Sequence, residues 1–166
     1  MKTRNMVLSA LFAALLAICA WISLPLGAVN FTLQTFGIFL ALLVLGGKWG
    51  SVSIFVYLAL GAMGLPVFSG FHGGLSAITG PTGGCLIGFM LTALLYWLAE
   101  ATLGQRFFVK ISALILGLIL CYLWGWLWYS QYAPMNFFVW CIPYILPDAA
   151  KLALAFFLSR RLKLMV

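Results

Sequence analysis

No formally charged side chain lies between Arg4 and Lys48, none between Lys48 and Glu100, and none between Lys110 and Asp148. Such lengths of uncharged chain do not belong in water. A soluble domain carries about 25% charged residues; here the share is 7%, against 66% hydrophobic. At roughly 20 apolar residues per span, or a few fewer for a short helix, 166 residues make one domain of about six helices with no room for a soluble domain beside them. The expected fold is all-α: a polytopic membrane protein, a bundle of six transmembrane helices near residues 5–24, 34–46, 49–63, 83–101, 108–129 and 147–163.

Six spans put Lys2 and Arg4, Lys48, the cluster Glu100, Arg106 and Lys110, and the tail Arg160, Arg161 and Lys163 on one side. Excess Lys and Arg marks the cytoplasmic face, so both termini are expected in the cytoplasm of a bacterial-type cell membrane. The prolines, His72 and a glycine-rich stretch fall toward the other side. The first apolar run, Met6 to Leu26, exceeds the roughly 7–15 residues of a secretory signal core, and Ile18 is bulky where lipoprotein cleavage wants a small residue. An uncleaved first helix, broken at Pro25, is the expectation.

Asp148 and Lys151 place an acid and a base three residues apart inside an apolar segment. On a helix they share a face with Ala155 and Ser159, while Phe157 points the other way. Ionisable residues at membrane depth are costly unless paired or facing a cavity, and so mark a candidate site. The plainer reading is a cap plus a local ion pair, since Pro147 fits a first helical position and Asp148 the positive end of the helix dipole.

In the first helix Ala10, Ala13, Ala14, Ala17 and Ala20 form a small-residue face that would let another helix approach closely; the neighbour is either internal or another protein. Gln34 is a lone amide near a membrane boundary. The stretch from Val67 to Gly84 is too glycine-rich for a regular helix and too apolar for a flexible linker, so an ordered loop is expected, buried or lining a cavity. Trp124, Trp126, Trp128, Tyr129 and Tyr132 suit a headgroup belt. Cys19, Cys85, Cys121 and Cys141 lack the paired spacing of disulfide frameworks or zinc sites, and no metal or cofactor is expected.

Enzymatic readings lack their parts. There is no phosphate-binding loop ending in Lys and Ser or Thr, no His-Glu-x-x-His pair, no serine elbow and no carboxylate partner for His72. No nucleic-acid partner is expected, and no catalytic residue is assigned. A small-molecule pocket needs only a few convergent polar groups, close-fitting backbone and apolar walls. The outer loops and the Asp148–Lys151 face supply these.

Phe31-Thr32-Leu33-Gln34-Thr35, Gly64-Leu65-Pro66-Val67-Phe68, Gly80-Pro81-Thr82-Gly83-Gly84 with Gly88-Phe89, and Pro147-Asp148 with Lys151-Leu152 resemble, in order and spacing, the signature segments of the BioY family. Its members are the biotin-binding S components of energy-coupling-factor (ECF) transporters. The resemblance implies a six-helix S-component fold that captures biotin from outside and works with a transmembrane coupling protein and two ATP-binding-cassette ATPases. It implies polar ligand contacts at Asp148 and Lys151, with Gln34 as an amide contact and Gly80, Pro81, Thr82, Gly83 and Gly84 as a backbone wall. It also implies docking of the coupling protein on Ala10 and Ala14. Where the family often has Tyr after the paired glycines, this chain has Cys85, which removes a ring or hydroxyl from the wall. An S component for another vitamin, or a membrane assembly protein that only packs against partners, are the alternatives. The polarity of Asp148 and Lys151 alone does not choose which end of biotin they meet.

Overall fold

The structure, a computed structural model, describes residues 2–24 and 30–163. The expected break at Pro25 lies outside the described residues, as do the side chains of Lys2 and Lys163. Helix α1 runs Lys2–Trp21 and stops where Ser23–Leu24 (β1) pairs antiparallel with Phe31–Thr32 (β2). It therefore ends three residues before the expected position 24, because this ribbon claims the chain.

Helix α2, Gln34–Ala62, is continuous in hydrogen bonding except at Gly46, whose φ of 78° lies in the left-handed region. The chain reverses there. In a straight helix residues 42 and 50 would sit about 12 Å apart, yet a methyl group on Gly50 would touch the Cα of Leu42. Across the reversal, the Gln34 side chain reaches Tyr57 at 2.7 Å. The first limb is thus one crossing and the second, from Gly47, another. Glu100 secures the turn: its carboxylate accepts the Gly47 N–H and pairs with Lys110 at 3.4 Å, placing an anion at the positive end of the second limb.

Beyond α2 the loop is ordered, as expected, but it is not free of helix. A turn of 3₁₀ helix at Ser69–Phe71 and the short α3, Leu75–Thr79, lie within it. Gly70 and Phe71 both take positive φ, 71° and 59°. The Phe71 ring stacks on Trp21 at 5.1 Å, while the Trp21 indole donates to Pro66 O at 2.9 Å, so a side-chain contact holds an unfavourable backbone.

Helices α4 (Gly83–Leu103) and α5 (Phe107–Tyr129) form the tightest antiparallel pair. Small residues make this possible: Gly84 faces Trp128 and Gly125, and Gly88 faces Cys121. Thr92, donating to Gly88 O at 2.9 Å and Gly117 O at 2.8 Å, continues the seam.

Helix α6 spans Phe137–Lys163, with Pro143 and Pro147 inside it. The expected start at 147, with Pro147 in the first turn, is corrected by ten residues. Proline frees one carbonyl of the preceding turn but does not end a helix whose surroundings absorb the loss. Trp140, Cys141, Tyr144, Asp148, Lys151, Ala155 and Ser159 form one buried stripe along α6, whereas Phe138, Ile142, Ile145, Leu146, Leu154 and Phe157 are exposed to where lipid would be. With α2 counted as two limbs, the bundle crosses six times. Lys48, Glu100, Arg106, Lys110 and Arg160 gather at one end, and the ribbon, the loop and α3 at the other.

The alanine face of α1 divides. Ala13, Ala17 and Ala20 are buried against the rest of the bundle, while Ala10 and Ala14 are exposed beside Met6, Leu11 and Ile18. The five-alanine face, whose neighbour the sequence left as either internal or another protein, is therefore two faces, one internal and one open.

Candidate functional site

A cavity of about 350 Å³ opens at the loop end, within the 300–1,000 Å³ usual for small-molecule sites. Its floor is set by the stripe of α6. Asp148 and Lys151 are 3% and 7% exposed and join at 2.7 Å. Lys151 Nζ also donates to Thr32 O at 2.6 Å and Thr35 Oγ1 at 3.1 Å, with the Phe31 ring 3.9 Å away. Asp148 Oδ1 further accepts the Thr35 hydroxyl at 2.8 Å, and Oδ2 the Tyr122 hydroxyl at 2.6 Å. The reading as a cap plus local ion pair is too narrow. Asp148 lies in mid-helix, and the pair ties α6 to β2, α2 and α5.

Gln34, expected as a lone amide, is 5% exposed and hydrogen-bonded through both its oxygen and its nitrogen. Its carbonyl accepts the Thr32 hydroxyl at 3.0 Å, its amide donates to Tyr57 at 2.7 Å, and Tyr57 donates to Val67 O at 3.2 Å. One chain of hydrogen bonds thus runs from the loop through Gln34, Thr32 and Lys151 to Asp148 and Tyr122. Buried polar groups of this kind are tolerable only when satisfied together.

Apolar walls come from Phe68, Leu86, Phe89, Trp140 and Tyr144, with the Cys85 and Cys121 thiols beside them. Gly80, Pro81 and Thr82 line the cavity. Gly83 and Gly84 are not among its lining residues: a side chain on Gly83 would collide with the Ile78 carbonyl, and Gly84 serves the α4–α5 seam. Their expected place in the wall is corrected to packing. Nor do the aromatics at the end of α5 form only a belt. Trp128 donates to Gly80 O at 3.0 Å, and Tyr132 to Thr79 O; together they pin the segment ahead of α4.

Sequence reasoning singled out neither Tyr122 nor Trp140 and Tyr144, and it passed over Thr32 and Thr35 as individual contacts. The two threonines lie within a segment that carried the family resemblance; Tyr122 is one aromatic in an aromatic-rich helix. Tyr122→Phe is expected to lower stability by about 1.5–3 kcal/mol, the scale of a hydrogen bond to a charged group, with the ring still packed on Trp140 at 6.3 Å. Thermal unfolding in detergent measures it. An unchanged midpoint would show that Tyr122 does not hold Asp148.

Known proteins match the chain over nearly its whole length. The chain is 42% identical over 165 residues to the probable biotin transporter BioY of Pyrococcus horikoshii, covering 98% of each. It is 39% identical to the biotin transporter BioY of Thermotoga maritima, covering 96% of each. A solved S-component for biotin from an ECF-type ABC transporter superposes with a TM-score of 0.84 at 30% identity, over 98% of this chain and 92% of the other. The profile of the BioY family matches residues 1–166, and the chain belongs to that family.

Proposed function

We propose that this multi-pass membrane protein is the S component that captures biotin on the outer face of the cell membrane for ATP-driven uptake. The single observation that carries the reading is the cavity itself: enclosed by apolar walls, open at the loop end, and floored by the buried Asp148–Lys151 pair. Its relatives' names and the neighbour's description supply the ligand. The chain is not an enzyme; ATP hydrolysis resides in partner subunits. Asp148 is the proposed ligand contact, Lys151 and Gln34 support the floor, and Gly80, Pro81 and Thr82 wall the entrance. Basic residues clustered at the opposite end support cytoplasmic termini. Calorimetry of the purified protein in detergent tests the reading directly. Tight, stoichiometric biotin binding supports it, and no binding of biotin beside tight binding of another vitamin overturns it.

The energising module, a transmembrane coupling protein with two ATPases, is proposed to meet the open face of α1 at Ala10 and Ala14. Ala14→Leu should abolish energised uptake while leaving biotin affinity unchanged, because bulk there blocks only an external helix. Ala13→Leu instead overpacks the interior and should cost about 1–3 kcal/mol of stability. Uptake assays beside calorimetry separate the two; intact energised uptake by Ala14→Leu would remove the docking assignment.

A further inference from the structure

Both carboxylate side chains of this protein are committed, Asp148 to Lys151 and Glu100 to Lys110. Seven of the nine basic side chains therefore have no acidic side chain left to answer them, and by the order of the crossings all seven fall at the end away from the cavity. Two of them flank a particular gap. The backbones of α5 and α6 stay apart along most of their length and are joined by ring pairs: Trp126 with Phe137, Tyr122 with Trp140 and, at the basic end, Phe107 with Phe156 at 5.0 Å. Arg160 lays its guanidinium over the Phe156 ring at 4.8 Å, and Arg106 immediately precedes Phe107. Both arginines are exposed, and neither forms an ion pair among the described residues.

The furrow leading inward from that ring pair suits hydrocarbon. Helical spacing puts Ile111, Leu114 and Leu118 on the α5 face that carries Phe107 and Tyr122, and Leu152 on the α6 face that carries Phe156. Leu114 is buried and the other three are half-buried, so the furrow is lined by aliphatic side chains and shallow. At its mouth the exposed Phe107 and Phe108 rings sit beside the two arginines. A guanidinium lying flat on a ring keeps its N–H edge free, and that edge matches a phosphate bidentately. An inorganic phosphate or an acidic protein segment would answer the charges and leave the furrow empty. A phospholipid answers both, with its phosphate at the arginines and an acyl chain along the aliphatic side chains, and basic recesses between membrane helices are where anionic head groups bind.

We propose that the α5–α6 seam at the basic end is a binding site for an anionic phospholipid, its phosphate held by Arg106 and Arg160 and one acyl chain laid along Phe156, Leu152 and Leu118. The lipid braces a helix pair that lacks close backbone packing. Native mass spectrometry and thermal unfolding of the full chain in neutral detergent test this, with dioleoylphosphatidylglycerol, dioleoylphosphatidylcholine or inorganic phosphate added. Phosphatidylglycerol is expected to stay bound and to raise the melting midpoint, and the other two to do neither. Arg106→Gln with Arg160→Gln should weaken phosphatidylglycerol binding roughly 30-fold, the scale of two lost head-group contacts. Arg4→Gln with Lys48→Gln removes the same charge elsewhere on the basic end and should leave binding within about twofold. Equal weakening by the two double variants would mean attraction spread over the whole basic end and overturns the site. Equal stabilisation by inorganic phosphate overturns the lipid as its occupant. A parent chain that does not distinguish phosphatidylglycerol from phosphatidylcholine overturns the proposal without recourse to any variant.

Discussion

Lys151→Met is expected to cost about 3–5 kcal/mol of stability, because it strands the Asp148 carboxylate at 3% exposure with two hydroxyl partners and no counter-charge. Asp148→Asn strands the ammonium in the same way, although Thr32 O and Thr35 Oγ1 still accept from it. Each single change also weakens biotin binding, by roughly 30-fold to several-thousand-fold where a buried charge-assisted contact is lost. The informative protein is the double variant. Asp148→Asn with Lys151→Met leaves no unpaired charge, so stability should recover relative to either single variant while biotin affinity stays low. Unfolding midpoints and calorimetry on the same preparations measure both. A double variant that binds biotin within a few-fold of the parent would show that the pair only braces α6.

Gly84→Leu should be nearly as damaging, for a different reason. A side chain on Gly84 has nowhere to go but into Trp128 and the Gly125 backbone, and Trp128 also holds the Gly80 carbonyl. Overpacking a closed seam costs about 1–3 kcal/mol, occasionally more; here it also displaces the segment that walls the cavity. Ala101→Leu, on the exposed side of the same helix, should stay within about 0.5 kcal/mol. Comparing yields of monodisperse folded protein and melting midpoints checks this. Equal stability of the two variants would return Gly84 to the role of a ligand wall.

The charges marked the ends of the helices, so the crossings and the shared side of Lys48, Arg106 and Arg160 were legible without coordinates. Asp148 and Lys151 stood out because membrane depth makes charge expensive. What stayed hidden was pairing over long separations. Nothing local says that Gln34 meets Tyr57, or that Tyr122 rather than Tyr129 faces Asp148. Proline misled in one place: Pro147 read as a helix start, yet α6 begins at Phe137, because neighbouring structure rather than propensity decides whether a freed carbonyl is tolerated. The five alanines of α1 shared a face by angle alone, and only packing could tell Ala13 from Ala14.

The cavity's closed floor also governs permeability. Toward the basic end, Ile54, Ala93, Tyr96 and Leu114 have no solvent exposure, and Ser51 and Thr92 satisfy backbone carbonyls there instead of water. Interiors packed to this density leave little room for a file of water molecules. A membrane holding this protein alone should therefore keep its proton and sodium gradients. Ligand can wait in the chamber at the loop end without any leak path opening beneath it, and passage to the other side demands movement of whole helices rather than diffusion through a pore.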